Sequence, residues 1–421
     1  MTSELHRIVR TDRAAMATGN LASFAASWTL NFDARTKPLF LSRCWAAVIA
    51  AASLVAALPV AVVSFGAYVV ALFLERIPPV RTSYDFLSRS YDQLLARVAS
   101  KVLRDTRDTP ALRLMVSLTA TIVPIFVIQL ILGKPRLLLV LAFYLSLYGI
   151  KFQRFIRMFS ASHLEAHRPQ GFFSPAFNRF FGRYLEFFLG YFYGNIPELG
   201  RTAHVCLHHR ENAGFDDTRH TMGFDRTSRV DFLWYVAGNL WTVLGVAPYF
   251  YFKGKGDDKN RRRMLSGMLC YYLYFAVIFV YNWQIGVLFV LVPILSMNLI
   301  NAITAWVQHA FCDPEHPEDY FANTVTVMDD INFMNEGYHL CHHHRSSLHW
   351  TEMPAHFDRL SDRMRNSGSL VFRDLDFLGL FLELTLRRRM DVLADKLIPW
   401  QPMTQTERMA LLTQRSTVRL S

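Results

Sequence analysis

The chain holds 15 histidines, and ten of them fall in three short windows. The first reads His163-Leu164-Glu165-Ala166-His167 and the second His204-Val205-Cys206-Leu207-His208-His209. The third reads His339-Leu340-Cys341-His342-His343-His344 and runs on to His349. Residues three or four apart share one face of a helix. His163 with His167, His204 with His208, and His339 with His342 and His343 are therefore each expected to converge on one ion. His209 is the neighbour of His208, points elsewhere, and is expected to reach a second ion. A single H-x-x-x-H arises by chance on a solvated helix. Three such groups read as a metal centre, because buried imidazoles have no packing rationale and each must satisfy two ring nitrogens. His344 is an expected exception, since three consecutive side chains do not face one point. His349, His316, His220, His356 and His6 default to surface or supporting roles.

Eight imidazoles exceed the four ligands of one tetrahedral zinc and suit two ions with open positions. Imidazole accepts zinc, copper, iron or nickel, so ligand type alone does not choose the metal. Cys206 and Cys341, inside the boxes, read as small apolar fillers. Ligating rings need acceptors that fix their tautomers. The nearby carboxylates are Glu165, Glu211, Asp216, Asp217, Asp225 and Glu336.

The elements that must position these rings are apolar. Of 421 residues, 52% are hydrophobic, 14% aromatic and only 19% charged. That excludes a disordered chain, a coiled coil and a small disulfide scaffold. Five cysteines without a C-x-x-C pair indicate no disulfide framework. Apolar runs cover residues 44–74, 115–132, 137–150, 264–282 and 285–306. A helix crosses the hydrocarbon with about 20 residues. The 44–74 run is too long for one straight span and contains Pro59, so it tilts, kinks or folds back. The short 137–150 run is expected to continue as helix, with Lys151, Arg154 and Arg157 snorkelling out of the membrane. Residues 230–252 form a sixth, weaker run, read as lying in the interface. The reading is an all-α polytopic membrane protein with four to six transmembrane helices and a cytoplasmic helical cap carrying the histidine boxes.

Lys plus Arg number 45 against 34 Asp plus Glu, a net +11. Six positive charges crowd Lys253 to Arg263, and such clusters lie inside. Each hairpin returns the chain to one side, so 151–263 and 307–421 share that face, while Lys134 and Arg136 are left on the other. No apolar run precedes residue 44, so no cleavable signal peptide is expected. The organisation expected is an N-terminal region 1–110, a catalytic region 111–350 and a tail 351–421.

The set H-x3-H, H-x3-H-H, H-x2-H-H has a membrane hairpin before its first group and another between its second and third. In this it resembles the membrane-bound fatty acid desaturase and hydroxylase superfamily. Asn335-Glu336-Gly337-Tyr338-His339-Leu340-Cys341-His342-His343 is especially similar to the last histidine box of that family. The resemblance implies two iron ions (Fe2+) that use dioxygen and two electrons to oxidise an unactivated acyl chain. It implies the ligand set His163, His167, His204, His208, His209, His339, His342 and His343. It adds His309, placed like a histidine that the last hairpin helix of the family often contributes. The stearoyl-type Asn one turn earlier is Ala305 here, with Asn301 a further turn away.

The substrate implied is a fatty acyl group on lipid, coenzyme A or acyl carrier protein. No dinucleotide, haem or iron–sulfur motif is present in the sequence, so electrons are expected from outside. Ferredoxin, or cytochrome b5 with its reductase, is the donor type implied. Membrane lipids are expected neighbours and nucleic acid is not a partner. Desaturation is the first reading; hydroxylation, or oxidative decarboxylation to a terminal alkene, is the alternative on the same site. A non-enzymatic membrane protein with structural zinc predicts closed four-ligand sites, which the surplus of histidines opposes.

Overall fold

The structure, a computed structural model, describes residues 40–328 and 332–420. His6 and the expectation about the N-terminal leader lie outside them. Among the described residues, five segments are long and apolar enough to cross a membrane: Cys44–Leu74, Thr106–Leu132, Leu137–His167, Asp258–Tyr281 and Trp283–Gln308. They cover the five expected runs, except that the fourth ends at Tyr281 rather than at Asn282. A two-stranded sheet is the only strand pairing beyond isolated bridges among the described residues.

Helix α1 (Phe40–Leu74) passes through Pro59 without a break, so the long first run neither folds back nor splits. It leads into α2 (Pro78–Val102) and α3 (Thr109–Leu132). The third span is where the sequence reading needs correction. Helix α4 (Leu137–Tyr148) stops, and α5 (Gln153–His167) starts after Lys151 and Phe152, both at positive φ, although the two helices still make one candidate span. The break is stable because α1 caps it: Ser64 Oγ donates to the Gly149 carbonyl and accepts from the Phe152 amide at 2.9 Å. The basic side chains do not simply snorkel. Lys151 lies 3.7 Å from the centre of the Tyr68 ring, and Arg154 donates to Ser117 and Thr121 at 2.9 and 3.0 Å. Partners inside the bundle replace water for Lys151 and Arg154.

The weak sixth run forms α6 (Arg229–Val243) and α7 (Val246–Gly254), bent by 71° where Gly245 takes a φ of 76°. Helix α8 (Asp258–Tyr281) crosses back, and α9 (Val292–Gln308) completes the last span. An aromatic knot of Phe126, Phe143, Phe192 and Phe289 joins the inner faces of the spans, with ring centres 4.6 to 6.3 Å apart. Exposed leucines, valines and phenylalanines cover the outer faces of α1, α3 and α8, as a hydrocarbon surround requires.

Beyond α9 the chain forms β1 (Thr326–Met328), α10 (His339–His344), α11 (Met353–Asn366), β2 (Val371–Arg373) and α12 (Gln405–Thr417). Strands β1 and β2 pair in parallel. The tail is sewn to the segment after α9 by two buried arginines. Arg226 Nε donates to Ala310 O at 3.0 Å and its Nη2 to Arg415 O at 2.6 Å. Arg415 in turn donates to Gly368 O at 2.7 Å and pairs with Asp313. Buried arginines of this kind stay charged only when their N–H groups find acceptors.

Gly267 in α8 faces Pro197, just before the segment that carries the second histidine window; a Cβ there would come within 1.8 Å of the Pro197 carbonyl oxygen. Gly267→Ala should cost about 1–3 kcal/mol by overpacking, read as a lower unfolding midpoint in detergent. Ser266→Ala, on the exposed side of the same helix, should leave the midpoint unchanged; equal midpoints for the two variants would contradict the contact.

Candidate metal centre

The nine histidines named from the sequence meet at one place, in two groups. His163, His167, His204, His209 and His342 form one; His208, His309, His339 and His343 form the other. Within each group the ring nitrogens lie within 4.8 Å of one another. The groups stand side by side, with the His209 and His343 rings stacked 4.5 Å apart.

The membership differs from the α-helical expectation, and the reason is local. His204 was paired with His208, and His209 set apart. Gly200–His208 is instead a π-helix. Its i to i+5 period brings His204 and His209 together, with their Nε2 atoms 3.0 Å apart. His208 is turned to the other group. The third window also divides. On α10, His339 and His343 face one way with Nε2 atoms 3.2 Å apart, while His342 points into the five-membered group. His163 and His167, at the C-terminal end of α5, do share a face. His309 follows directly on α9, and its Nε2 lies 3.4 Å from that of His339.

Hydrogen bonding cannot satisfy this arrangement. His342 Nε2 lies 2.7 Å from His163 Nε2, 3.1 Å from His167 Nε2 and 3.0 Å from His209 Nε2. A neutral ring nitrogen has either one proton or one lone pair. One proton cannot serve four convergent nitrogens, whereas one cation accepts a lone pair from each. The donor set therefore fits a metal ion in each group. Neither Cys206 nor Cys341 belongs to either group. Cys341 is buried beside Leu340 and Met353, and Cys206 packs with Leu207 and Phe252, as expected of fillers.

The outward nitrogens show what orients the rings. Asp217, fully enclosed, bonds His208 Nδ1 at 2.6 Å and accepts the Ala213 and Arg219 amides. Burial opposes its charge, but His208 and then the amide and the charge of Arg219 hold the carboxyl below its usual range. Glu336 stands 3.7 Å from His163 Nδ1 and is bonded by Ser160. The other proposed carboxylates serve elsewhere. Glu165 accepts the Leu185 and Glu186 amides, Glu211 bonds Tyr251, Asp216 pairs with Lys255, and Asp225 closes its own turn on Thr227. Two acceptors escaped the sequence reading: Asn212 Oδ1, 3.0 Å from His343 Nδ1, and the Asn323 carbonyl, 3.4 Å from His309 Nδ1. Asn212 lies three residues past the second window at positive φ, a weak signal that was available.

The remaining histidines stay outside both groups. His344 pairs with His356 at 3.0 Å, His316 is exposed near Glu318, and His220 lies by Phe215. His349 Nε2 lies 3.1 Å from Asp108, which also accepts from Trp350 at 3.1 Å and pairs with Arg168. This knot ties the start of α3, the end of α5 and the chain beyond α10 around the site.

Burial, then the neighbouring rings, drives His204, His339, His342 and His343 well below the usual imidazole range and His309 down to about 3. These rings are neutral, the form that binds metal. In the unfolded chain they protonate near about 6.5. Acid therefore loads protons on the unfolded state first, so stability is full above about pH 6.5 and falls below it. The unfolding midpoint of the metal-free chain should drop between about pH 7 and about pH 5, more steeply than one proton allows. A flat profile over that window would show that the rings titrate in the fold as they do in the unfolded chain.

The fatty acid desaturase family model matches residues 135–374, more than half of the chain and a stretch containing all nine histidines. No curated protein matches the chain, and no solved structure does. On its helices, its paired histidine groups and this match, the chain belongs to the fatty acid desaturase family.

Proposed function

We propose that this chain is a dioxygen-dependent oxidoreductase that introduces a double bond into an acyl chain, with two iron ions held by its nine histidines. The observation that carries the reading is the division of those rings into a group of five and a group of four. His163, His167, His204, His209 and His342 would hold one ion, and His208, His309, His339 and His343 the other. Iron would supply the redox chemistry by which dioxygen attacks an unactivated C–H bond. The protein supplies the rest. Asp217, Asn212 and the Asn323 carbonyl hold His208, His343 and His309 in one tautomer and orientation. The spans bring the acyl chain from the bilayer, and the cap keeps water from the reacting carbons. Structural zinc is disfavoured, because such a site is closed by four ligands, whereas one of the groups here gathers five histidines.

The acyl group would arrive as lipid, acyl-coenzyme A or acyl carrier protein. Electrons would come from ferredoxin, or from cytochrome b5 and its reductase, docking on the basic cap. We place the histidines on the cytoplasmic side, from the positive cluster at Lys253–Arg263. Hydroxylation or oxidative decarboxylation remains the second reading, favoured by one observation: polar side chains line the cavity beside the histidines.

His309 is the decisive residue, since it was added to the boxes by resemblance. His309→Ala should lower bound iron from two toward one per chain and abolish acyl oxidation, as loss of one member of a cooperating site does. His316→Ala, exposed and seven residues on, should keep both. Full activity and two irons in both variants would remove His309 from the ligand set; one zinc and no iron in iron-replete wild type would refute the reading.

A further inference from the structure

A cavity of about 80 Å³ lies against both histidine groups. His163 and His204 of one group and His208 of the other form part of its wall. At roughly 10–15 Å³ for each water, it has room for about six. Met158, Val243 and Met297 supply apolar surface, as a hydrocarbon chain requires. Glu186, Asn301 and Arg219 also line it, and a hydrocarbon chain gives them nothing to bind.

Arg219 is the group without an explanation. Its backbone is fixed: the amide donates to Asp217 at 2.9 Å, and the carbonyl accepts from the Tyr235 hydroxyl at 2.9 Å. Its guanidinium makes no hydrogen bond or ion pair with any described residue, and Nε is sealed from solvent without an acceptor. Asp217, which acts on it electrostatically, is already committed to His208 and two backbone amides. Glu186, on the same cavity, lies 3.1 Å from Arg183, although neither of its buried carboxylate oxygens has a hydrogen-bond donor. Asn301 Oδ1 is likewise buried without a donor. A half-buried guanidinium whose Nε is sealed without a paired anion is costly, and a bidentate carboxylate is its natural complement.

We propose that this cavity binds the free carboxylate of an acyl substrate through Arg219, so that the carbons nearest the carboxylate are those presented to the histidine groups. The proposal rests on the acyl-oxidising reading above but replaces its carrier-bound acyl group with the carrier-free acid as the substrate class. A thioester or ester would present a neutral carbonyl and leave the guanidinium unpaired. Oxidation would then fall close to the carboxyl end rather than in mid-chain.

The test is binding, measured on the full-length, metal-loaded protein in lipid nanodiscs with hexadecanoate, methyl hexadecanoate and hexadecanol. The wild type should bind the acid at least about tenfold more tightly than either neutral ligand, the preference a charged pair confers. Arg219→Gln should bring the acid to the level of the alcohol while alcohol affinity and metal content hold. Arg219→Lys should keep part of the preference. Equal binding of the three ligands by wild type overturns the proposal, as does an acid preference that survives Arg219→Gln. Should the glutamine variant fail to fold, the wild-type comparison decides alone. An enzyme that oxidises acyl-coenzyme A in mid-chain without acid preference sinks the carboxylate site and leaves the desaturase reading standing. A metal-loaded protein that binds none of the acyl ligands sinks both.

Discussion

Four uncharged ring nitrogens aimed at one point repel one another unless a cation lies between them. In this chain His342 Nε2 meets three other Nε2 atoms at 2.7 to 3.1 Å, and a neighbouring group repeats the condition. The positions of the surrounding elements follow from that demand. Each ring must be dry enough to stay neutral and fixed enough to point inward. Its outward nitrogen must find an acceptor, and Asp217, Asn212 and the Asn323 carbonyl provide three of these.

The backbone departs from regular helix where it delivers these rings. The third span breaks at Lys151 and Phe152, and α5 beyond the break carries His163 and His167. The second window is wound as a π-helix, which sends His204 and His209 to one group and His208 to the other. Such irregular stretches cost stability, and the surrounding contacts offset it. Ser64 of α1 caps the break. Asp108 collects Arg168, His349 and Trp350 from three parts of the chain. Arg226 and Arg415 fasten the C-terminal tail to the strand of chain after His309. Segments outside the histidine windows thus hold the windows in register.

Much of this was legible in the residues. Apolar runs marked the five spans, because hydrocarbon demands about 20 residues of helix whatever the fold. Histidine spacing marked eight of the rings, because a metal site must draw them from few turns, and the ninth, His309, came only from the family resemblance. The division into groups was not legible. Windows of the form H-x3-H-H pair differently on an α-helix and a π-helix, and nothing in Gly200–His208 announces the wider turn. Long-range partners were equally hidden. Asp108 and Trp350 are 242 positions apart, and no periodicity links them. The carboxylates nearest in sequence were a poor guide to tautomer control: Asp217 serves directly and Glu336 stands close by, but a side-chain amide and a backbone carbonyl do the rest.

The central claim is that two metal ions lie side by side, one in each histidine group. Anomalous diffraction at the iron edge from crystals of iron-loaded protein tests it most directly. The account predicts two peaks, one enclosed by His163, His167, His204, His209 and His342 and the other by His208, His309, His339 and His343, with no cysteine sulfur at either. A single peak, or a peak bound through Cys206 or Cys341, would contradict it.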